Sequence, residues 1–161
     1  MSKHFFAAAA LAILASCSSN SLTLLVGTYT DAGSKGIYTY SFNPSTGACS
    51  MLSSAEAGNP SFLTISADGL TVYAVSEYNN AEAAVYTFGF DKAAGTLEER
   101  SRVLTGGGDP CYIATDGTLL TTANYSGGSM TVFPLGQDGL PGEGTLFPGS
   151  TGGPDMSRQA R

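Results

Sequence analysis

The sequence predicts an all-β chain, a partial β-propeller of about two and a half four-stranded antiparallel blades, and three observations carry that expectation. An Asp-Gly turn at Asp68-Gly69 returns 48 residues on as Asp116-Gly117, and the hydrophobic strands behind these turns end at corresponding residues, Ser76-Glu77-Tyr78 and Asn124-Tyr125-Ser126. The same offset, run backwards from Ser76-Glu77, reaches Thr28-Tyr29. A second element keeps pace: Ile37-Tyr38-Thr39-Tyr40 returns as Val85-Tyr86-Thr87-Phe88 and, after a shorter loop, as Met130-Thr131-Val132-Phe133. The third observation is compositional. The chain has 21 glycines and only 12% charged residues, a balance that suits short strands and tight turns better than helices. Repeats of about 40 to 50 residues with four strands each have the period of propeller blades.

Each strand follows from aligning the copies. The first copy starts at residues 22–29, continues with Gly36–Phe42, turns at Thr46-Gly47 and finishes around 48–54, so it lacks an innermost strand. The second copy is complete, with strands over 60–66, 71–77, 84–90 and Thr96–Leu104. Asp68-Gly69 and Ala94-Gly95 supply the left-handed turn positions that join its hairpins. The third copy repeats the pattern over 111–115, 118–124, 129–135 and a weak fourth strand at 145–147. Val72, Tyr73, Ala74 and Val75 are apolar on both strand faces, as expected of a sheet sandwiched between two neighbours.

Residues 1–16 read as a leader rather than as part of the fold, which leaves 17–161 as an incomplete propeller domain. The apolar run over 5–15 is shorter than the roughly 20 residues that a transmembrane helix needs. Leu14-Ala15-Ser16-Cys17 resembles a lipobox, which makes Cys17 the acyl acceptor of an exported, membrane-anchored lipoprotein. The other reading is an ordinary secretory signal cleaved near Ser16. Both take the protein out of the cytoplasm.

Composition excludes several function classes. Without the leader, six basic side chains face thirteen acidic ones, a formal charge of −7, and no basic stripe suited to nucleic acid exists. The sole histidine, His4, lies in the leader, so the remainder holds no Ser-His-Asp triad and no histidine-ligated metal. The spacing of Cys49 and Cys111 matches no zinc motif, and both read as buried small hydrophobes rather than as a disulfide. No metal or other cofactor is expected.

Antiparallel order sorts the loops onto two ends. The Asp-Gly, Thr-Gly and Ala-Gly turns share one rim. The opposite rim collects Tyr29, Asn59, Glu77, Asp109, Asn124, Tyr125 and Arg158. These short polar loops are where a propeller binds ligands. Asp109 precedes Pro110 as a turn residue would, and Gly127-Gly128 reads as a tight hairpin because no helix or lysine follows it.

Several segments on that rim carry a family look. Val26-Gly27-Thr28-Tyr29-Thr30, Gly36-Ile37-Tyr38-Thr39-Tyr40, Asn59-Pro60-Ser61, Val72-Tyr73-Ala74-Val75-Ser76-Glu77 and Ala123-Asn124-Tyr125-Ser126-Gly127-Gly128-Ser129 resemble the lactonase family of seven-bladed β-propellers, which includes enzymes described as 6-phosphogluconolactonases. Gly153-Pro154-Asp155 and Arg158-Gln159 match the family's continuation, and the sequence stops at Arg161, before the Pro-His segment that usually follows. The resemblance therefore implies an amino-terminal fragment of a seven-bladed ring that lacks the family's acid/base histidine and is inactive as it stands.

What the resemblance implies chemically is a hydrolase that opens a sugar-derived lactone. Arg158 would stabilise the oxyanion or bind an anionic substituent, and Glu77 would orient water or accept a sugar hydroxyl. Asn124, Tyr125 and Tyr29 would hold the lactone or carbohydrate through amide and phenol hydrogen bonds. An exported protein of net charge −7 suits an uncharged lactone better than a phosphorylated one. The alternative is a non-catalytic surface propeller that binds a glycan or a protein. Open blade edges also predict self-association.

Overall fold

The computed structural model describes residues 21–149, so the leader, Cys17 and Arg158 lie outside the described residues. The described residues form three antiparallel sheets. The first contains β1 (Leu22–Gly27), β2 (Gly36–Phe42) and β3 (Cys49–Glu56), in that order. The second contains β4 (Leu63–Ile65), β5 (Thr71–Ser76), β6 (Ala84–Asp91) and β7 (Thr96–Leu104). The third contains β8 (Pro110–Thr115), β9 (Leu119–Asn124), β10 (Ser129–Pro134) and β11 (Thr145–Pro148). This is the expected all-β partial propeller, with two complete blades and a first blade that has three strands.

The sheets stack face to face because alternate residues of each strand leave on opposite sides. Ile37 and Ala57 of the first blade meet Val72, Ala74, Phe88 and Phe90 of the second in one core. Tyr73, Val75 and Val85 leave the other side of the second sheet and join Ile113, Leu120 and Phe133 of the third. Every residue of β5 is buried, as its two-sided apolar sequence predicts.

Gly27 shows how closely the first two blades approach. The carbonyl of Pro60 occupies the position that a Cβ at residue 27 would need. A second tie is polar: the Gly95 carbonyl, in the β6–β7 turn, accepts the hydroxyls of Thr39 at 2.5 Å and Ser53 at 2.8 Å.

The turn rim is built by repeated side-chain caps. Asp116 Oδ1 accepts the backbone N–H groups of Thr118 and Leu119, both at 2.8 Å, and Asp68 Oδ1 accepts the Leu70 N–H at 2.9 Å. Both carboxyls titrate below the ordinary 3.8, Asp68 chiefly through the Ser66 hydroxyl and Asp116 chiefly through the Leu119 N–H. Gly69 and Gly117 follow in the left-handed region, at φ 68° and 91°. Asn43 and Asp91 cap the other hairpins in the same way.

Two expectations need correction. The first strand of the second blade was expected over 60–66, yet β4 spans Leu63–Ile65. Proline has no N–H to donate at residue 60, and the Ser61 N–H turns back to the Asn59 carbonyl at 2.8 Å, so regular pairing starts late. Cys49 and Cys111 are free thiols, but Cys49 is exposed on an edge strand and Cys111 is partly exposed.

Candidate functional site at the strand-end rim

The rim opposite the turns is assembled from residues that sit just outside the strands. Tyr29 follows β1, Ser61 precedes β4, and Glu77 follows β5. The Tyr29 phenol donates to Glu77 Oε2 at 3.0 Å, and the Ser61 hydroxyl donates to the same oxygen. Glu77 Oε1 has no hydrogen-bond partner among the described residues. Tyr29 is exposed, so the group lies open to a ligand.

Backbone contacts hold this cluster in register. The Glu77 N–H donates to the Asn59 carbonyl at 3.1 Å, and the Asn59 amide returns a hydrogen bond to the Glu77 carbonyl at 3.2 Å. Asn59 Oδ1 also accepts the N–H and the hydroxyl of Thr30, each at 2.9 Å. One asparagine thus links the loop after β1 to the end of β5. Its backbone is left-handed, φ 46°, a conformation that Asn tolerates better than most residues.

The next blade repeats the device with Asp109, φ 50°. Its N–H donates to the Tyr78 carbonyl at 2.9 Å, its carbonyl accepts the Tyr125 N–H at 2.8 Å, and its carboxylate takes the Ser126 hydroxyl. Asp109 is therefore a link between blades, in keeping with a turn role. Tyr125, held by that link, stands exposed one repeat beyond Glu77.

Electrostatics follow from the geometry. The Tyr29 phenol titrates above its ordinary 10.0, chiefly because its O–H donates to the Glu77 carboxylate. Partial burial and the Glu77 charge act in the same direction, and the Ser61 hydroxyl opposes them. Lys92 and Arg100 are engaged on the turn rim, by the Asp68 carbonyl at 2.6 Å and the Asp138 carbonyl at 3.0 Å. Arg102 lies 5.5 Å from the Tyr86 ring centre and donates to the Glu82 carbonyl at 2.7 Å. Lys35 borders a groove of about 590 Å³ lined also by Thr30, Glu56, Gly58, Tyr86 and Glu99. A hollow of about 540 Å³ lies on the turn rim around Asp68, Tyr73 and Gln137.

The structure brings together Tyr29 and Glu77, and places Tyr125 on the same rim. Asn124 does not join them. It is 2% exposed, and its amide donates to Thr131 at 2.9 Å and Ser129 at 3.1 Å while its carbonyl accepts the Thr122 hydroxyl at 3.0 Å. Its amide ties β9 to β10, and its burial keeps it from a sugar. Ser61 is the rim residue that single-strand reasoning missed, although it stands in the quoted Asn59-Pro60-Ser61 segment. Arg158 and Cys17 lie outside the described residues. Among the described residues no group of three or more His, Cys, Asp or Glu is placed to hold a metal ion.

Comparison with known proteins agrees with this architecture. A family model described as lactonase, 7-bladed beta-propeller, matches residues 23–161. The 6-phosphogluconolactonase of Bacillus subtilis (strain 168) is 32% identical over 117 residues, which is 71% of this chain and 33% of that protein. A crystal structure of a candidate 6-phosphogluconolactonase from Bacteroides fragilis NCTC 9343 superposes with a TM-score of 0.85 at 51% identity, covering 89% of this chain and 41% of that one. The periplasmic gluconolactonase of Pseudomonas aeruginosa superposes with a TM-score of 0.72 at 34% identity, covering 77% of this chain and 38% of that one. The chain thus spans well under half the length of these relatives. With the family model covering nearly all of the domain and the blades stacked as described, the chain belongs to the lactonase family of seven-bladed β-propellers.

Proposed function

We propose that this chain forms part of a lactonase that adds water across the ester of a sugar-derived lactone. The observation that carries the reading is the Glu77 carboxylate, fixed at the strand-end rim by hydroxyls from two blades, with its second oxygen unengaged among the described residues. Such an oxygen can accept a ring hydroxyl or orient a water. Tyr29 and Tyr125 supply phenols and aromatic faces on the same rim. Arg158 stabilises the oxyanion that forms when water attacks the ester carbonyl. The relatives' names, 6-phosphogluconolactonase and gluconolactonase, support a sugar-acid lactone as the substrate class.

The decisive assay measures hydrolysis of D-glucono-1,5-lactone and of its 6-phosphate above the spontaneous rate. Turnover that is lost in Arg158→Ala and reduced in Glu77→Gln supports the reading. Absence of turnover of both lactones by the full-length protein removes it.

Export and anchoring belong to the same reading: Cys17 carries the lipid, and the periplasmic relative makes an exported lactonase a natural companion. Metabolic labelling with a fatty-acid analogue tests this, and labelling that survives Cys17→Ala refutes it.

The open blade faces take a second copy of this chain. Leu24, exposed on the first sheet, stands one repeat before Val72, which packs at the first blade–blade interface. Met130, exposed on the third sheet, is the counterpart of Val85, which packs at the second interface. In such an association the third sheet of one copy would meet the first sheet of another. Sedimentation of the expressed chain reads the outcome: a stable monomer at high concentration excludes this association.

A further inference from the structure

We propose that Ser61 is a positioning residue for Glu77: with Tyr29 it saturates one carboxylate oxygen and dedicates the other, Oε1, to a neutral hydroxyl of the bound ligand. This rests on the lactonase reading above and names the part of the substrate that the Glu77 side of the rim recognises.

The inference starts from hydrogen-bond capacity. An ionised carboxylate only accepts, with about four lone-pair sites on its two oxygens. At Glu77 both protein hydroxyls arrive at Oε2, Ser61 from the same blade and Tyr29 from the blade before. A side chain held by one donor could swing about its terminal torsion and exchange its oxygens. Two donors converging from different blades oppose that rotation, while the paired Asn59–Glu77 contacts fix the backbone beneath. Oε1 thereby becomes an acceptor at a defined place.

The chemistry of the occupant follows. An anionic acceptor-only oxygen is matched by O–H donors and mismatched by a phosphate, which is itself an anionic acceptor. A phosphate there would need a compensating cation. Among the described residues, Lys92, Arg100 and Arg102 are held at other carbonyls, and Lys35 lines a groove with Glu56 and Glu99 that does not include Glu77. Against the described residues, the Glu77 carboxylate is therefore matched by ring hydroxyls rather than by a phosphate.

The experiment measures binding of D-glucono-1,5-lactam, a neutral and hydrolytically stable ring analogue, and of its 6-phosphate to the full chain by calorimetry. Ser61→Ala is expected to weaken both ligands by the same factor, about tenfold, as for loss of one well-formed charge-assisted contact. Ser61→Thr, which keeps the hydroxyl, restores binding, an outcome that a general packing role for Ser61 would not produce. Glu77→Gln weakens both ligands as well. If Ser61→Ala folds poorly, Tyr29→Phe removes the other donor and reads the same lock.

Unchanged affinity in Ser61→Ala and Tyr29→Phe overturns the positioning role while leaving the lactonase reading intact. Selective strengthening of 6-phosphate binding by Glu77→Gln overturns the hydroxyl assignment, since it places the phosphate against the carboxylate. Failure of wild-type protein to bind either lactam, together with absent turnover, removes the functional reading and this inference with it.

Discussion

The Tyr29 phenol reaches across a blade boundary and 48 residues of chain to donate to Glu77 at 3.0 Å. The two residues occupy the same place in successive repeats, so a single repeat position provides both the donor and the acceptor.

This pair predicts a pH dependence. The hydrogen bond favours the neutral phenol in the folded chain, so Tyr29 titrates above 10.0 there and nearer 10.0 when unfolded. The stabilisation is present below the unfolded value and is lost as pH rises through the folded one. In Glu77→Gln the Tyr29 transition, followed by phenolate absorbance or tyrosine NMR, is expected to move down towards the ordinary value. An unmoved transition would show that the contact does not hold in solution.

Gly27 predicts a packing cost. Its Cβ position is already filled by the Pro60 carbonyl, a backbone atom that cannot rotate away. Gly27→Ala should destabilise the chain by roughly 2 kcal/mol, in the range typical of overpacked sites. The urea midpoint should fall with little change in slope. A neutral effect would mean that the first two blades separate more easily than their geometry implies.

Asn124 separates a structural role from a binding role. Asn124→Ala leaves the hydroxyls of Thr122, Ser129 and Thr131 with fewer partners inside the third blade. Stability should drop by about 2 kcal/mol, as for other broken buried networks. Lactam affinity of the protein that remains folded should be unchanged. A variant of full stability with lost affinity would return Asn124 to the site.

Asn59 allows backbone and side-chain effects to be told apart. Asn59→Gly keeps the left-handed conformation and loses the contacts to Thr30 and Glu77. Asn59→Ala loses the same contacts and adds the steric cost of a Cβ at φ 46°, so it should be less stable than Asn59→Gly by about 1 kcal/mol. Equal stabilities in thermal or urea unfolding would argue against a strained backbone there.

Much of the fold was legible because the sequence repeats its turn chemistry as well as its apolar pattern. Asp68-Gly69 and Asp116-Gly117 placed two hairpins, and the all-apolar stretch from Val72 to Val75 indicated a sheet covered on both faces. The three strands that the first copy offered are the three that its sheet shows among the described residues. Strand limits near Pro60 could not, since they depend on a proline without a donor and on one local turn.

The site was legible only in part. Glu77, Tyr29 and Tyr125 share a repeat position, and the structure leaves both tyrosines exposed there. Asn124 is one place earlier, in register with the buried Ser76, so the repeat already held the information that it faces inward. Judging Asn124 by its amide rather than by its register placed it at the surface. Ser61 was hidden for the opposite reason: a lone serine beside a proline has no chemistry of its own, and its importance comes from the carboxylate that it meets.

The seam between blades has an evolutionary consequence. Tyr29 comes from one blade, Ser61 and Glu77 from the next, and Asn59 ties the two together. Copying or exchanging a single blade would carry over its packing faces but only half of this contact. New specificities among such proteins should therefore arise from changes made in pairs across a seam, and chimaeras are best cut within a blade at the turn between β6 and β7, which leaves Tyr29, Ser61 and Glu77 on one side of the cut.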